Sequence, residues 1–340
     1  MEPNYKVSIR DWQKLLVSYV PEYRVYAPTL IGTTIDYQII DEKNIDEILY
    51  NVAKPASPLK LFFLPPKENV VAASDKKVKT LILGAPSCDL HALDILDEFY
   101  LHSRFVDSYY RDRRENTLLI GTDCFETQSH CHCTTYGFNP YPEKNHDIGL
   151  AKTNSSIILT PHSEKGRKWV EFMRDRIDVV DAADEIMEGL RQKRITVKDK
   201  LSRSNEVIPD HKLTKKLIEE SPDDIWYKYA EACVSCGGCA TICPTCTCFL
   251  LIDRPAFEKV RQMDACQYPG FARVAAGEDP LRQRMDRFRN RYKCKYVYKP
   301  NRFESSACTG CGRCIETCIG GIDKNELFIE LAEDRKENQS

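Results

Sequence analysis

The sequence contains no uninterrupted apolar run approaching 18 residues, so no membrane-spanning helix is expected. It also has almost no net charge: 49 Lys and Arg stand against 51 Asp and Glu, a formal −2. Such a balance favours neither nucleic acid nor a lipid surface as a partner. The first residues lack the charged-then-apolar pattern of a secretory leader, and the expected location is the cytoplasm. No G-x-G-x-x-G motif follows a predicted strand: the turn Gly84-Ala85-Pro86 lacks the spacing of a dinucleotide fingerprint. The Cys-Cys-Gly run of disulfide-cleaving cluster enzymes is missing too. His91, His102 and His146 are scattered along the chain. They form no constellation for organic catalysis, and no catalytic residue is assigned.

What the chain has in abundance is cysteine, 16 in 340 residues. In a reducing compartment that number argues for metal ligation rather than disulfides. Eight of the cysteines fall in two runs of identical spacing, C-x2-C-x2-C-x3-C, beginning at Cys233 and Cys308. Two-cluster ferredoxins hold a pair of [4Fe–4S] centres with this spacing, and the fourth cysteine of each run ligates the other cluster. The first predicted cluster therefore takes Cys233, Cys236, Cys239 and Cys318, and the second takes Cys308, Cys311, Cys314 and Cys243. Gly237, Gly238, Gly310 and Gly312 would let the backbone approach inorganic sulfide, where a Cβ would intrude. Structural zinc is the competing reading, but zinc sites more often show separated C-x2-C pairs.

A third group lies in the N-terminal half. Residues 79–84 read as a buried strand, followed by Cys88 and a helix from Asp89 to about Tyr100. Residues 117–121 read as a second strand running into Cys124. A right-handed crossover makes two such strands parallel. Both cysteines then sit at the carboxyl edge of the sheet, where open α/β sheets place their ligands. Cys131 and Cys133 complete a set of four with Cys88 and Cys124, the candidate ligands of a third [4Fe–4S] cluster. Buried or redox-sensing thiols, or zinc held with His130 or His132, are the alternatives. Cys246, Cys248 and Cys266 would shield the first cluster, tune it, or form a fourth site, and Cys294 looks incidental.

The expected fold is α+β overall, with an N-terminal α/β domain around a parallel-strand core and a C-terminal α-helical ferredoxin-like domain. The divisions fall at 1–165 (α/β domain with the third site), 166–222 (charged helical connector), 223–325 (two-cluster domain) and 326–340 (polar tail after the start of a terminal helix). Residues 58–66 are expected to be extended, 147–160 a hairpin, and 179–191 an amphipathic helix. Ser221 is read as the N-cap of a helix leading into the first cluster loop. The 64 residues between Cys243 and Cys308 are too many for a compact bacterial ferredoxin. Within them Arg282, Arg284, Arg287, Arg289 and Arg291 mark a basic helix. That run reads as a solvated face, a docking face for an acidic partner, or compensation for anionic clusters.

Residues 57–68, 84–93, 109–115 and the loop Cys124–Cys133 carry a resemblance to a known family. The Cys233 run with Cys246 and Cys248, the stretch Met263–Cys266 and the Cys308 run extend it. Over about residues 55–325 the chain resembles the A subunit of anaerobic sulfite reductase and the beta subunit of cytosolic sulfhydrogenases. Met263 stands where that family commonly has Trp, and Ile319 where it has Pro. The resemblance implies a non-catalytic electron-transfer subunit with an α-helical ferredoxin domain, and it favours the third cluster. Its implied partners are a flavin subunit carrying FAD and binding NAD(P)H, and a catalytic redox subunit. The latter would be of sulfite reductase, nickel–iron hydrogenase or heterodisulfide reductase type. The alternative is a cluster-bearing reductase acting on a small substrate at the N-terminal site.

Overall fold

A computed structural model describes residues 3–71, 78–102 and 104–338. Eleven strands run in chain order: β1 Tyr5–Ser8, β2 Arg24–Ile31, β3 Thr34–Ile39, β4 Lys67–Asn69, β5 Thr80–Pro86, β6 Thr117–Thr122, β7 Ile148–Lys152, β8 Ser156–Pro161, β9 Val180–Asp181, β10 Phe249–Arg254 and β11 Glu258–Met263. Eight of them form one sheet in the order β3-β2-β5-β6-β7-β8-β1-β9. Its centre, β2-β5-β6-β7, is parallel. Antiparallel pairings flank it on both sides, including the expected β7–β8 hairpin. β5 and β6 are buried along nearly their whole length. Helices on the sheet faces explain that run of apolar residues, since a parallel core is covered on both sides. The expected mixed fold, with a parallel N-terminal core and a helical C-terminal cluster domain, is observed.

The helix Ile9–Tyr19 packs Trp12, Leu15 and Leu16 against one face of the sheet. The helix Ser87–Tyr100 packs Leu90, Leu93 and Leu96 on the other, with Leu59 and Phe63. A separate C-terminal core gathers Trp226, Phe288, Tyr292, Tyr296, Leu327 and Phe328. The last two belong to the helix Lys324–Glu337. Residues 326–337 are thus packed helix, and the end of the expected tail, 339–340, lies outside the described residues.

Several local expectations are corrected. Within 58–66 the chain forms a short helix, Lys60–Phe63, because one turn buries Leu59 and Phe63 on the same side. The helix expected over 179–191 starts at Asp184 and runs to Ser204, while Val180–Asp181 pairs as an edge strand with β1. Ser221 is not the N-cap of the helix Asp223–Ala232; Pro222 holds that position. The Ser221 hydroxyl instead accepts a 2.7 Å hydrogen bond from the Trp226 indole. The Arg-rich helix Arg284–Lys293 is not one solvated face, because Arg287 and Arg291 are buried. The insert also holds a hairpin, β10–β11, that adds to β4 of the N-terminal half. The apolar start Phe249-Leu250-Leu251-Ile252 before a Pro255-Ala256 turn was its signal in the sequence.

Candidate iron–sulfur centres

The N-terminal group of cysteines is brought together as the strand order requires. Cys88 sits in the first turn of the helix that leaves β5, and Cys124 follows β6. The β5–β6 pairing is parallel, so both occupy the carboxyl edge. Cys131 and Cys133 return from the next loop, and all four cysteines line one cavity with Lys54, Glu126 and Cys311. Burial pushes the Cys88 and Cys124 thiols well above their ordinary range, and Cys133 up to about 12. Four thiols sharing one cavity, three of them strongly desolvated, fit a metal cluster, because ligation stabilises the thiolate that burial alone opposes. Neither His130 nor His132 lines this cavity. The His132 ring is buried, with Nδ1 2.7 Å from the His130 carbonyl.

At the other end, Cys233, Cys236, Cys239 and Cys318 line a second cavity walled by Phe288, Tyr292 and Ile322. Cys233 ends the helix Asp223–Ala232, and Cys239 lies in the short helix Gly238–Thr241. Cys236 is exposed, so this centre reaches the molecular surface. Burial raises the Cys239 thiol despite the neighbouring Arg291 guanidinium. Arg291 also donates to the Cys239 carbonyl at 3.3 Å.

Between the two cavities lies the set Cys243, Cys308, Cys311 and Cys314. Burial pushes Cys311 up to about 12, with Cys243 and Cys314 among its electrostatic neighbours. Burial would likewise raise Cys308, but Lys324, Lys295 and the Tyr296 and Tyr136 hydroxyls outweigh it and hold the thiol below its ordinary value. Contact with Cys246 lowers Cys243, and Lys295 adds to this by donating to its Sγ at 2.9 Å. Among the described residues, no three Cys, His, Asp or Glu side chains converge closely enough to hold a single metal ion.

Two interactions fasten the N-terminal group to the middle set. His132 N–H donates to the Gly310 carbonyl at 2.8 Å, docking the Cys131–Cys133 loop on the Cys308 run. Gly310 and Gly312 have φ of +64° and +77°, and a Cβ on either would strike the backbone carbonyl of His132 or His130. These glycines therefore make room for another loop, a different use from the close approach to sulfide expected from sequence. The Arg313 guanidinium forms a two-pronged ion pair with Asp89, at 2.5 and 2.8 Å, and both side chains are buried.

The sequence reading missed the buried cations Lys54, Lys60, Lys295, Lys324 and Arg313 around the cysteines, while its charge-compensation reading of the Arg-rich helix fits Arg291. Lys295, beside the cysteine judged incidental, was not legible in the sequence. The segment Cys294–Tyr298 is a π-helical turn, which shifts the facing of its side chains.

Two comparisons with known proteins bear on the chain. Residues 232–322 match the model of a 4Fe-4S dicluster domain. The chain is also 31% identical over 339 residues to sulfhydrogenase 2 subunit beta of Pyrococcus furiosus. The alignment covers 94% of this chain and 98% of that protein. With a cluster-binding domain and near end-to-end similarity in hand, the chain belongs to the sulfhydrogenase beta subunit family.

Proposed function

We propose that the chain is a three-centre electron relay within a multisubunit oxidoreductase. Its centres would be held by Cys88/Cys124/Cys131/Cys133, by Cys243/Cys308/Cys311/Cys314 and by Cys233/Cys236/Cys239/Cys318. The observation that carries the reading is the position of the middle set. Cys311 lines the N-terminal cavity and Cys314 lines the C-terminal one, so consecutive ligands of one loop touch both neighbours. When bound, [4Fe–4S] clusters supply one-electron transfer. The chain's own residues hold them apart from water and offset their negative charge. Lys54 serves the N-terminal site, Lys295 and Lys324 the middle one, and Arg291 the C-terminal one.

The partners fitting this reading are a flavin subunit that binds NAD(P)H and carries FAD, and a catalytic redox subunit. Hydrogenase, sulfite reductase and heterodisulfide reductase types all fit the second role. Cys236 at the surface is the natural contact toward one of them. The N-terminal cavity already offers four cysteines, a complete ligand set for one cubane, which favours relay over direct substrate reduction there. The test is iron and acid-labile sulfide per chain after anaerobic purification. About twelve irons support three cubanes. A count of about eight that Cys88→Ser leaves unchanged would remove the N-terminal centre from the relay.

A further inference from the structure

Three cysteines outside the proposed ligand sets, Cys246, Cys248 and Cys266, gather at the base of the β10–β11 hairpin. The register Phe249↔Met263 places Cys248 opposite Asp264, whose N–H donates to the Cys248 carbonyl at 3.1 Å. A tight turn after Asp264, closed by the Tyr268 N–H on the Ala265 carbonyl at 3.0 Å, then carries Cys266 back beside Cys248. Cys246 contacts Cys243 of the middle set instead.

The surroundings are cationic. Lys60, from the short helix of the N-terminal half, donates to the Cys246 and Ala240 carbonyls, both at 3.3 Å. Lys299 donates to the Thr245 carbonyl and, at 3.2 Å, to the Thr247 hydroxyl. Two ammonium groups thus pin the backbone that leads into Cys248. Contact with Cys266, helped by Lys299 and Lys60 against the opposing effects of burial and Asp264, lowers Cys248 to about 6 and raises Cys266 in turn. Cys248 is half-buried, while Cys266 is buried behind it. A reachable thiolate backed by a covered thiol has the asymmetry of an attacking and a resolving cysteine.

We propose that Cys248 and Cys266 form a two-electron dithiol site that exchanges with low-molecular-weight disulfides. The Cys248 thiolate attacks one sulfur of the incoming disulfide, its S–S bond breaks, and one thiolate leaves with the bonding pair and takes up a proton. Cys266 then loses its proton to water and attacks the Cys248 sulfur, displacing the second thiolate. The two cysteines are oxidised to one disulfide, and the incoming disulfide is reduced to two thiols. The site is separate from the twelve cysteines of the relay, so it stands or falls independently of them.

The experiment treats anaerobically purified, iron-loaded full-length protein with glutathione disulfide. After an acid quench and alkylation, peptides are read by mass spectrometry and iron is counted in parallel. The expected result is a Cys248–Cys266 linked peptide that rises with glutathione disulfide and vanishes with excess glutathione, while iron stays constant. In Cys266→Ser a glutathione adduct persists on Cys248, and in Cys248→Ser adducts in this region fall at least roughly tenfold. Absence of the linked peptide at full oxidation, with no adduct in Cys266→Ser, overturns the proposal. So does loss of about four irons in both variants, which would make these cysteines cluster ligands. Failure of the relay reading would show separately, as a wild-type iron count below twelve.

Discussion

Arg313 and Asp89 form a buried, two-pronged ion pair between neighbours of two proposed cluster ligands, Cys314 and Cys88. Asp89 also accepts the Leu59 N–H at 3.1 Å, and Arg313 Nε donates to the Pro55 carbonyl at 2.9 Å. All of these partners are in the N-terminal half, so one arginine from the cluster domain ties the two cores together. A pair of this kind contributes little over a well-packed apolar contact, but removing one member leaves a buried charge uncompensated, at about 3–5 kcal/mol. Arg313→Met and Asp89→Leu are each expected to lower the unfolding midpoint markedly, and the double variant to recover part of the loss. Thermal unfolding under anaerobic conditions checks this. Single variants that melt with the wild type would refute it.

Gly310 and Gly312 are expected to be intolerant of even one methyl group. Each alanine would combine a positive φ with a collision against backbone of the Cys131–Cys133 loop. Backbone cannot swing aside as a side-chain tip can, so the loop must lift from the middle centre. Gly310→Ala should therefore lose iron from both the N-terminal and middle centres while the Cys236 centre survives. Iron analysis with low-temperature spectra separates that outcome from general unfolding, in which all signals fall together.

The division between what was legible in the sequence and what was not follows the range of the interactions. The strands around Cys88 and Cys124 were readable because β5 and β6 are continuous apolar runs bounded by turns. The handedness of one crossover put Cys88 and Cys124 on the same sheet edge, and Cys131 and Cys133 were added from the next loop to complete a set of four. The two repeated runs were local patterns as well. The buried lysines were not legible, since Lys60 lies 180 residues from the Ala240 carbonyl that it meets. Nor was the purpose of Gly310 and Gly312, because the loop they accommodate lies far away in sequence. The Ser221 cap was misread because Trp226 competed for the same hydroxyl, and packing of that indole in the helical core decided the outcome.

Three buried histidines make stability depend on mild acid. Burial lowers His91, His132 and His146, with His146 reaching about 4. The unfolded chain binds a proton at each near the ordinary value of about 6.5. The folded state therefore binds fewer protons, and this contribution to stability is present above about pH 6.5 and lost as the pH falls toward 4. Denaturant unfolding of anaerobic protein between those values should show stability declining with acid. His146→Gln should flatten the slope by close to one proton. An unchanged slope would mean that His146 titrates alike in both states.

Lys54 and Lys295 offer a test of whether separate cations serve separate centres. Burial would pull Lys54 down, but Cys131 and Glu316 hold its ammonium charged, with Sγ of Cys131 at 3.8 Å and Glu316 at 2.8 Å. Lys295 stands 2.9 Å from Cys243 and bonds the Thr245 hydroxyl and the Ala307 carbonyl. A positive charge beside a cluster ligand favours the more negative, reduced state, so its removal lowers the reduction potential. For one electron, about 59 mV corresponds to a tenfold change in equilibrium, so losing such a contact should shift a centre by tens of millivolts. Lys295→Met is expected to lower the middle centre, and Lys54→Met to lower the N-terminal centre most, with a smaller effect on the middle centre through Cys311. Redox titration followed by paramagnetic resonance resolves the two. The result separates electrostatic tuning from packing: a packing defect would broaden or bleach a signal, whereas loss of a tuning charge moves its midpoint and leaves the iron in place.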